Sequence, residues 1–230
     1  MTIKIAGKEV DAIILDLEKT LYLPGEADRI FATARRQLAE ALLIRPKSLV
    51  KLPQGIVDKK IKELTVLADH VGWSKAYLQL GGNIDFYHRT VRGINRSNGL
   101  KFNQELYQLL DSLKAKVKLG LFTKATIPIA EAICAKILGK NWQDLFHAFV
   151  CDGTPGCPAE KPDPRAFEFI LELLGVTAER AAMVGDSLPD DIVPASDLGM
   201  LAIYVGDQEG IGDLRISRIE ELLTLIDTSS

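Results

Sequence analysis

Two carboxylates one residue apart, Asp16 and Glu18, close a short apolar run from Ala12 to Leu15, and a hydroxyl follows at Thr20. Such a run predicts a strand buried on both faces of a parallel sheet. The carboxyl edge of that kind of sheet is where ligands bind. A carboxylate delivered there is a candidate nucleophile if other strand ends supply cation ligands, a positive charge and a hydroxyl. The chain supplies them in order: Thr123 after the run Val117 to Phe122, Lys161 in Lys-Pro-Asp-Pro, then Asp186, Asp190 and Asp191 in Val-Gly-Asp-Ser-Leu-Pro-Asp-Asp. Taken singly, most of these have ordinary explanations. Thr123 could cap a turn, Lys161 could be a solvated loop lysine, and Asp186 and Asp190 could cap a helix. Asp16 resists that treatment, because an unpaired carboxylate ending a buried strand is costly. Four such loops in succession point to one site.

For these residues to meet, strands and helices must alternate. Thr2 to Val10 reads as an alternating edge segment turning at Gly7–Lys8. From Pro24 the pattern turns helical, with Ile30, Phe31, Ala34, Leu38, Ala41 and Leu42 at helical spacing. Pro46 and Pro53 interrupt it, and Ile56 to Val71 resumes it. A third tract, Trp73 to Arg92, carries Trp73, Tyr77, Phe86 and Tyr87 around a break at Gly81–Gly82. These aromatics read as the core of a small helical unit. Arg89, Arg92 and Arg96 share a helical face, either a solvated stripe or one turned to an anionic ligand.

After Asn98–Gly99 the α/β rhythm returns. Helices are predicted over Leu106 to Leu113, from Thr126 to Leu138, from Asp163-Pro164 to Gly175, and from Asp190 to Leu198. Between them lie strands at Val117 to Phe122, Ala148 to Cys151, Ala181 to Val184 and Leu201 to Val205. Leu214 to Ile216, with Ser217 and Glu220 as a capping box, gives a last strand–helix pair. The expected fold is α/β, a Rossmann-like parallel sheet with helices on both faces. Residues 1–21 and 99–230 form that core, and 22–98 are inserted as an α-helical cap.

The order and spacing of the four loops resemble the motifs of the haloacid dehalogenase superfamily, whose members are mostly phosphatases. Val184 to Asp191 is the most specific segment, and Lys161 to Pro164 comes next. The resemblance implies a helical cap between the first two motifs. It also implies Mg2+ bound by Asp16, the main-chain carbonyl of Leu17, Asp186 and Asp191. An all-oxygen set of that kind suits a hard cation. Asp16 would attack phosphorus to give an aspartyl-phosphate, while Lys161 and the Thr123 hydroxyl hold the equatorial oxygens. Glu18 would protonate the leaving alcohol and later activate water.

Three positions depart from the usual pattern. Glu18 replaces a second Asp, as in the enolase-phosphatases of the same superfamily; dehalogenases lack a carboxylate there. Lys19 stands where Gly is usual, and it either contacts substrate, points to solvent or marks weakened catalysis; Lys124, where Asn is common, is a further candidate substrate contact. The resulting expectation is a Mg2+-dependent phosphomonoester hydrolase acting on a small phosphorylated metabolite. A sugar phosphomutase and a catalytically weakened phospholigand-binding or regulatory protein are the alternatives.

Composition bounds the partners. With 47% hydrophobic and 26% charged residues the chain is an ordinary globular one. No apolar run suggests a membrane span and no signal peptide is apparent, so a cytoplasmic protein is expected. Cys134, Cys151 and Cys157 have no zinc-like spacing and read as thiols in a reducing compartment, and His70, His88 and His147 are scattered. Residues 22–100 hold 13 Lys+Arg against 7 Asp+Glu, and the remainder 15 against 24. Without a dense basic run or aromatic motif this asymmetry does not indicate nucleic acid. It suits a small anion drawn to a cation-loaded site, or simply a solvated surface. Nothing in the sequence specifies an oligomeric state.

Overall fold

The computed structural model describes residues 2–22, 24–43, 52–92, 97, 99–208 and 210–227, the side chains of 24–31 and 92 excepted. Pro46 and Arg96 therefore lie outside the described residues, as do the side chains of Ile30, Phe31 and Arg92. The chain divides into two compact units, Met1–Pro24 with Gly99–Ser230, and Gly25–Asn98.

The first unit opens with β1 (Ile3–Ile5) and β2 (Lys8–Val10), an antiparallel hairpin standing apart from the main sheet. The alternation of Thr2 to Val10 thus marks a ribbon of its own rather than a sheet edge. The next strand, β3 (Ala12–Leu15), falls where the apolar run places it, and all four residues are buried. The other strands are β4 (Lys118–Thr126), β5 (Ala148–Asp152), β6 (Ala181–Gly185), β7 (Leu201–Val205) and β8 (Leu214–Ile216). They form one parallel sheet with β3, in the order β5-β4-β3-β6-β7-β8.

From β3 the chain builds outward to β5, then returns to the other side of β3 to lay down β6. Neighbouring loops diverge at that switch point, and the crevice between them is where an open α/β sheet binds ligands. One face of the sheet packs Ala12, Ile14, Phe122 and Met183 against α7 (Pro164–Leu174) and α8 (Val193–Asp197). The alternate residues Ile13, Leu15, Leu119 and Leu121 are equally buried, and α5 (Gln104–Lys114) and α6 (Ile127–Ile137) both contact β4. Helix ends follow local chemistry. Asp163 caps α7 by accepting the Arg165 N–H at 3.0 Å, and Gly175 closes it in the left-handed conformation.

Between β3 and β4 lie α1 (Pro24–Leu43), α2 (Gln54–Val71), α3 (Trp73–Gln79) and α4 (Ile84–Arg92), the inserted helical region. Its core is Leu38, Leu64, Ala68, Ala76 and Tyr77, with Trp73, Phe86 and Tyr87 packed against it. The Arg35 guanidinium lies 5.4 Å from the centre of the Trp73 ring. The aromatics are therefore spent on packing, as their spacing predicts. The tract breaks where Gly81 takes the left-handed backbone at φ 86°, and residue 82 is glycine because a Cβ there would sit 2.2 Å from the Tyr77 ring. Arg89 is exposed. Among the described residues no helix is long and apolar enough to cross a membrane.

Two expectations at the end of the chain change. After β8 the chain makes 3-10 turns over Ile219–Leu225 rather than an α-helix. The Ser217 N–H donates to Glu221 Oε2 at 3.1 Å, so Glu221, not Glu220, closes that turn.

Candidate active site

Asp16 is the first residue beyond β3, and its N–H still donates to the Val184 carbonyl of β6 at 2.9 Å. The sheet ladder therefore extends one step and holds the carboxylate at the switch point. From 145 residues away, Lys161 brings its ammonium to Asp16 Oδ1 at 2.6 Å. The same Nζ donates to Asp191 Oδ1 at 2.6 Å and to the Phe122 carbonyl at 2.9 Å. Three acceptors satisfy the three ammonium protons. All three side chains are almost fully buried, with Lys161 and Asp191 each only 1% exposed.

Asp186 completes the cluster. Carboxylate oxygens of Asp16, Asp186 and Asp191 lie within 4.8 Å of one another. Burial pushes all three carboxyls upward, Asp191 to about 7 and Asp186 well above its ordinary value. For Asp16 and Asp191, Lys161 offsets part of that rise. Burial pulls the Lys161 ammonium down, but Asp16 and Asp191 outweigh it and the net is upward. Two buried carboxylates and a partly exposed third, facing one buried ammonium, leave a charge deficit that a hard dication would fill, and an all-oxygen donor set fits it.

The loop after β6 shapes this arrangement. Leu188–Ile192 forms a π-helical turn, where an α-helix from Asp190 was expected, and α8 begins only at Val193. The Ser187 carbonyl accepts from both Asp191 N–H at 2.9 Å and Ile192 N–H at 3.2 Å. That widened turn carries Asp191 back over the strand end. There its Oδ2 accepts the Ser187 N–H at 3.1 Å. Among the described residues neither Asp186 nor Asp190 is the cap of this turn. Ser187 is, accepting the Asp190 N–H at 3.3 Å.

Thr123 and Lys124 sit in an irregular stretch of β4. The strand does not end at Thr123 but runs to Thr126, with a register shift against β5 between Phe122 and Thr126. Such irregularities re-aim side chains beside a site. Thr123 is buried, and its hydroxyl accepts the Ala125 N–H at 3.2 Å, which leaves the O–H able to donate. Lys124 Nζ reaches Asp190 Oδ1 at 3.2 Å. At the N-cap position of α6, Thr126 makes no side-chain cap bond.

Glu18 lies in the turn after Asp16, close enough for its charge to raise the Asp16 carboxyl further. The next residue, Lys19, adopts φ of 65°, the left-handed backbone that favours glycine. Its ammonium stands 3.6 Å from Asp186 Oδ2. Leu17 is fully buried, and Thr20 Oγ1 is buried with no hydrogen-bond partner among the described residues.

The structure thus brings Asp16, Lys161, Asp186 and Asp191 together and sets Glu18 beside them. Three participants escape the sequence reasoning: the Phe122 carbonyl, the Ser187 N–H and the space left by Gly185, where a Cβ would collide with the Asp191 carboxylate. Only the glycine leaves a trace, as the residue just before Asp186.

Comparison with known proteins bears on the same region. The sequence model of one family, described as haloacid dehalogenase-like hydrolase, matches residues 10–199. A phosphoserine phosphatase of Thermus thermophilus is 34% identical over 93 residues, 38% of this chain and only 36% of that protein. A glyceraldehyde 3-phosphate phosphatase of Methanothermobacter thermautotrophicus is 26% identical over 204 residues, 86% of each chain. Among solved structures, CbbY from Rhodobacter sphaeroides in complex with xylulose-(1,5)bisphosphate superposes with a TM-score of 0.66. It is 19% identical, and the match covers 95% of this chain and 100% of that one.

Proposed function

The chain belongs to the haloacid dehalogenase-like hydrolases, and we propose that it is a Mg2+-dependent phosphomonoester hydrolase acting on a small phosphorylated metabolite. The observation that carries this reading is the Lys161 ammonium, 2.6 Å from both Asp16 and Asp191, with Asp186 completing a carboxylate cluster at the switch point.

Asp16, Asp186, Asp191 and the Leu17 carbonyl would hold the metal, whose charge offsets the repulsion between a phosphoryl group and a carboxylate nucleophile. Held in rotation by Lys161, Asp16 forms a new O–P bond as the bond to the substrate alcohol breaks. Glu18 gives its proton to that departing oxygen. Lys161 and the Thr123 O–H steady the phosphoryl oxygens, and Lys19 and Lys124 are further candidate contacts. In the second half Glu18 takes a proton from water, which attacks phosphorus, releases inorganic phosphate and restores Asp16.

The test is phosphate release from a panel of phosphometabolites with Mg2+. Activity should vanish in D16N and with chelator; activity that survives D16N removes Asp16 from the nucleophile's role. A second reading, a phospholigand-binding protein with weakened catalysis, draws on Lys19, whose ammonium stands 3.6 Å from Asp186 Oδ2 beside the carboxylate cluster. Ligand-dependent stabilisation with no turnover across the panel would favour it.

A further inference from the structure

We infer that Lys19 is a built-in rival of the metal for Asp186, a residue that weakens and so sets the divalent-cation affinity of the site. The inference rests on the metal-binding part of the function proposed above.

Three observations combine. First, the Lys19 backbone is left-handed at φ 65°, a conformation strained for a side-chain-bearing residue and one that glycine would adopt freely. Second, the side chain does not turn to solvent but places Nζ 3.6 Å from Asp186 Oδ2. That separation makes an ion pair without a hydrogen bond, so the ammonium is held by charge alone. Third, at 31% exposure Lys19 can be displaced from the pair, unlike the fully buried Lys161.

Charge accounting gives the consequence. Asp16, Asp186 and Asp191 with Lys161 present a formal −2 to an incoming dication, and Lys19 reduces that to −1. A dication taking Asp186 as a ligand must push the ammonium away or bind beside it against like-charge repulsion. Lys124 differs, since its partner is Asp190, outside the cluster. The two lysines are equal in charge and exposure and differ in which carboxylate they hold.

The experiment is calorimetric titration of Mg2+, and of Mn2+, into wild type, K19M, K19G, K19R, K124M and D186N, with melting curves for each. K19M keeps the stem and loses the charge; it should bind roughly twofold to fivefold more tightly, the scale of a partly exposed ion pair. K19G loses the same charge and relieves the backbone, so it should tighten likewise, whereas K19R should stay near wild type. Damage to the loop would weaken binding, so tightening is not a structural side effect. Unchanged or weaker binding in folded K19M and K19G overturns the proposal, as does equal tightening in K124M. If D186N binds as wild type does, or wild type does not bind at all, the metal site itself is wrong and both readings fall.

Discussion

The Asp191 carboxylate occupies the place where a side chain on residue 185 would begin: a Cβ built on Gly185 lies 2.3 Å from Asp191 Oδ2 and 2.7 Å from its Cβ. Gly185 does not use the left-handed backbone, so the cost of a side chain there is steric. G185A should push Asp191 off Lys161 and destabilise the fold by about 1–3 kcal/mol, the usual range for overpacking. Phosphatase activity should fall at least roughly tenfold, since a small misplacement of the site costs more than stability does. A urea melt and a phosphate-release assay on the same preparation check both parts.

K161M leaves Asp16 and Asp191 buried with no ammonium between them. Removing one member of a buried ion pair costs about 3–5 kcal/mol, because the remaining charges stay desolvated. Urea denaturation in chelator should show that loss, and added Mg2+ should restore part of it. A K161M protein as stable as wild type in chelator would mean the ammonium does not neutralise the pair.

E18Q keeps the shape of the side chain and removes its capacity to give up and take back a proton. Turnover of an alkyl phosphate should drop by about 10²–10⁴, the range for a general acid–base group. With p-nitrophenyl phosphate, whose leaving group needs no proton, the first half-reaction should survive while the water step slows. The expected record is a burst of p-nitrophenol followed by slow turnover; equal slowing of both phases would place the proton elsewhere.

Stability without divalent cation should fall as pH rises. Asp191 takes its proton at about 7 when folded against 3.8 ordinarily, so between those values the folded chain binds a proton that the unfolded chain lacks. The contribution is fully present near the ordinary value and is lost as pH climbs through the folded one, at about 1.4 kcal/mol per pH unit for one such group. Asp16 and Asp186 shift in the same direction. Melting temperatures in chelator should therefore decline from pH 5 to pH 8, and saturating Mg2+, by favouring the ionised forms, should flatten the slope. A chelated protein that grows more stable over that range contradicts these shifts.

What the sequence determined by itself is whatever depends on neighbours along the chain. The continuous apolar run gives β3 at Ala12–Leu15, and an Asp-Pro start with a glycine stop gives α7. The helical spacing of Tyr77, Phe86 and Tyr87 marks the core of the inserted region. Periodicity and capping act over a few residues, so they are readable without coordinates. The order in which strands sit is not local, and only tertiary structure decided it. By placing β3 between β4 and β6, the fold makes Asp16, Lys161 and Asp191 neighbours. It also sends Lys19 to Asp186 and Lys124 to Asp190, and opens a π-helical turn where an ordinary helix start was expected. Partners of that kind are chosen by burial and charge across loops far apart in the chain, and no spacing rule records them.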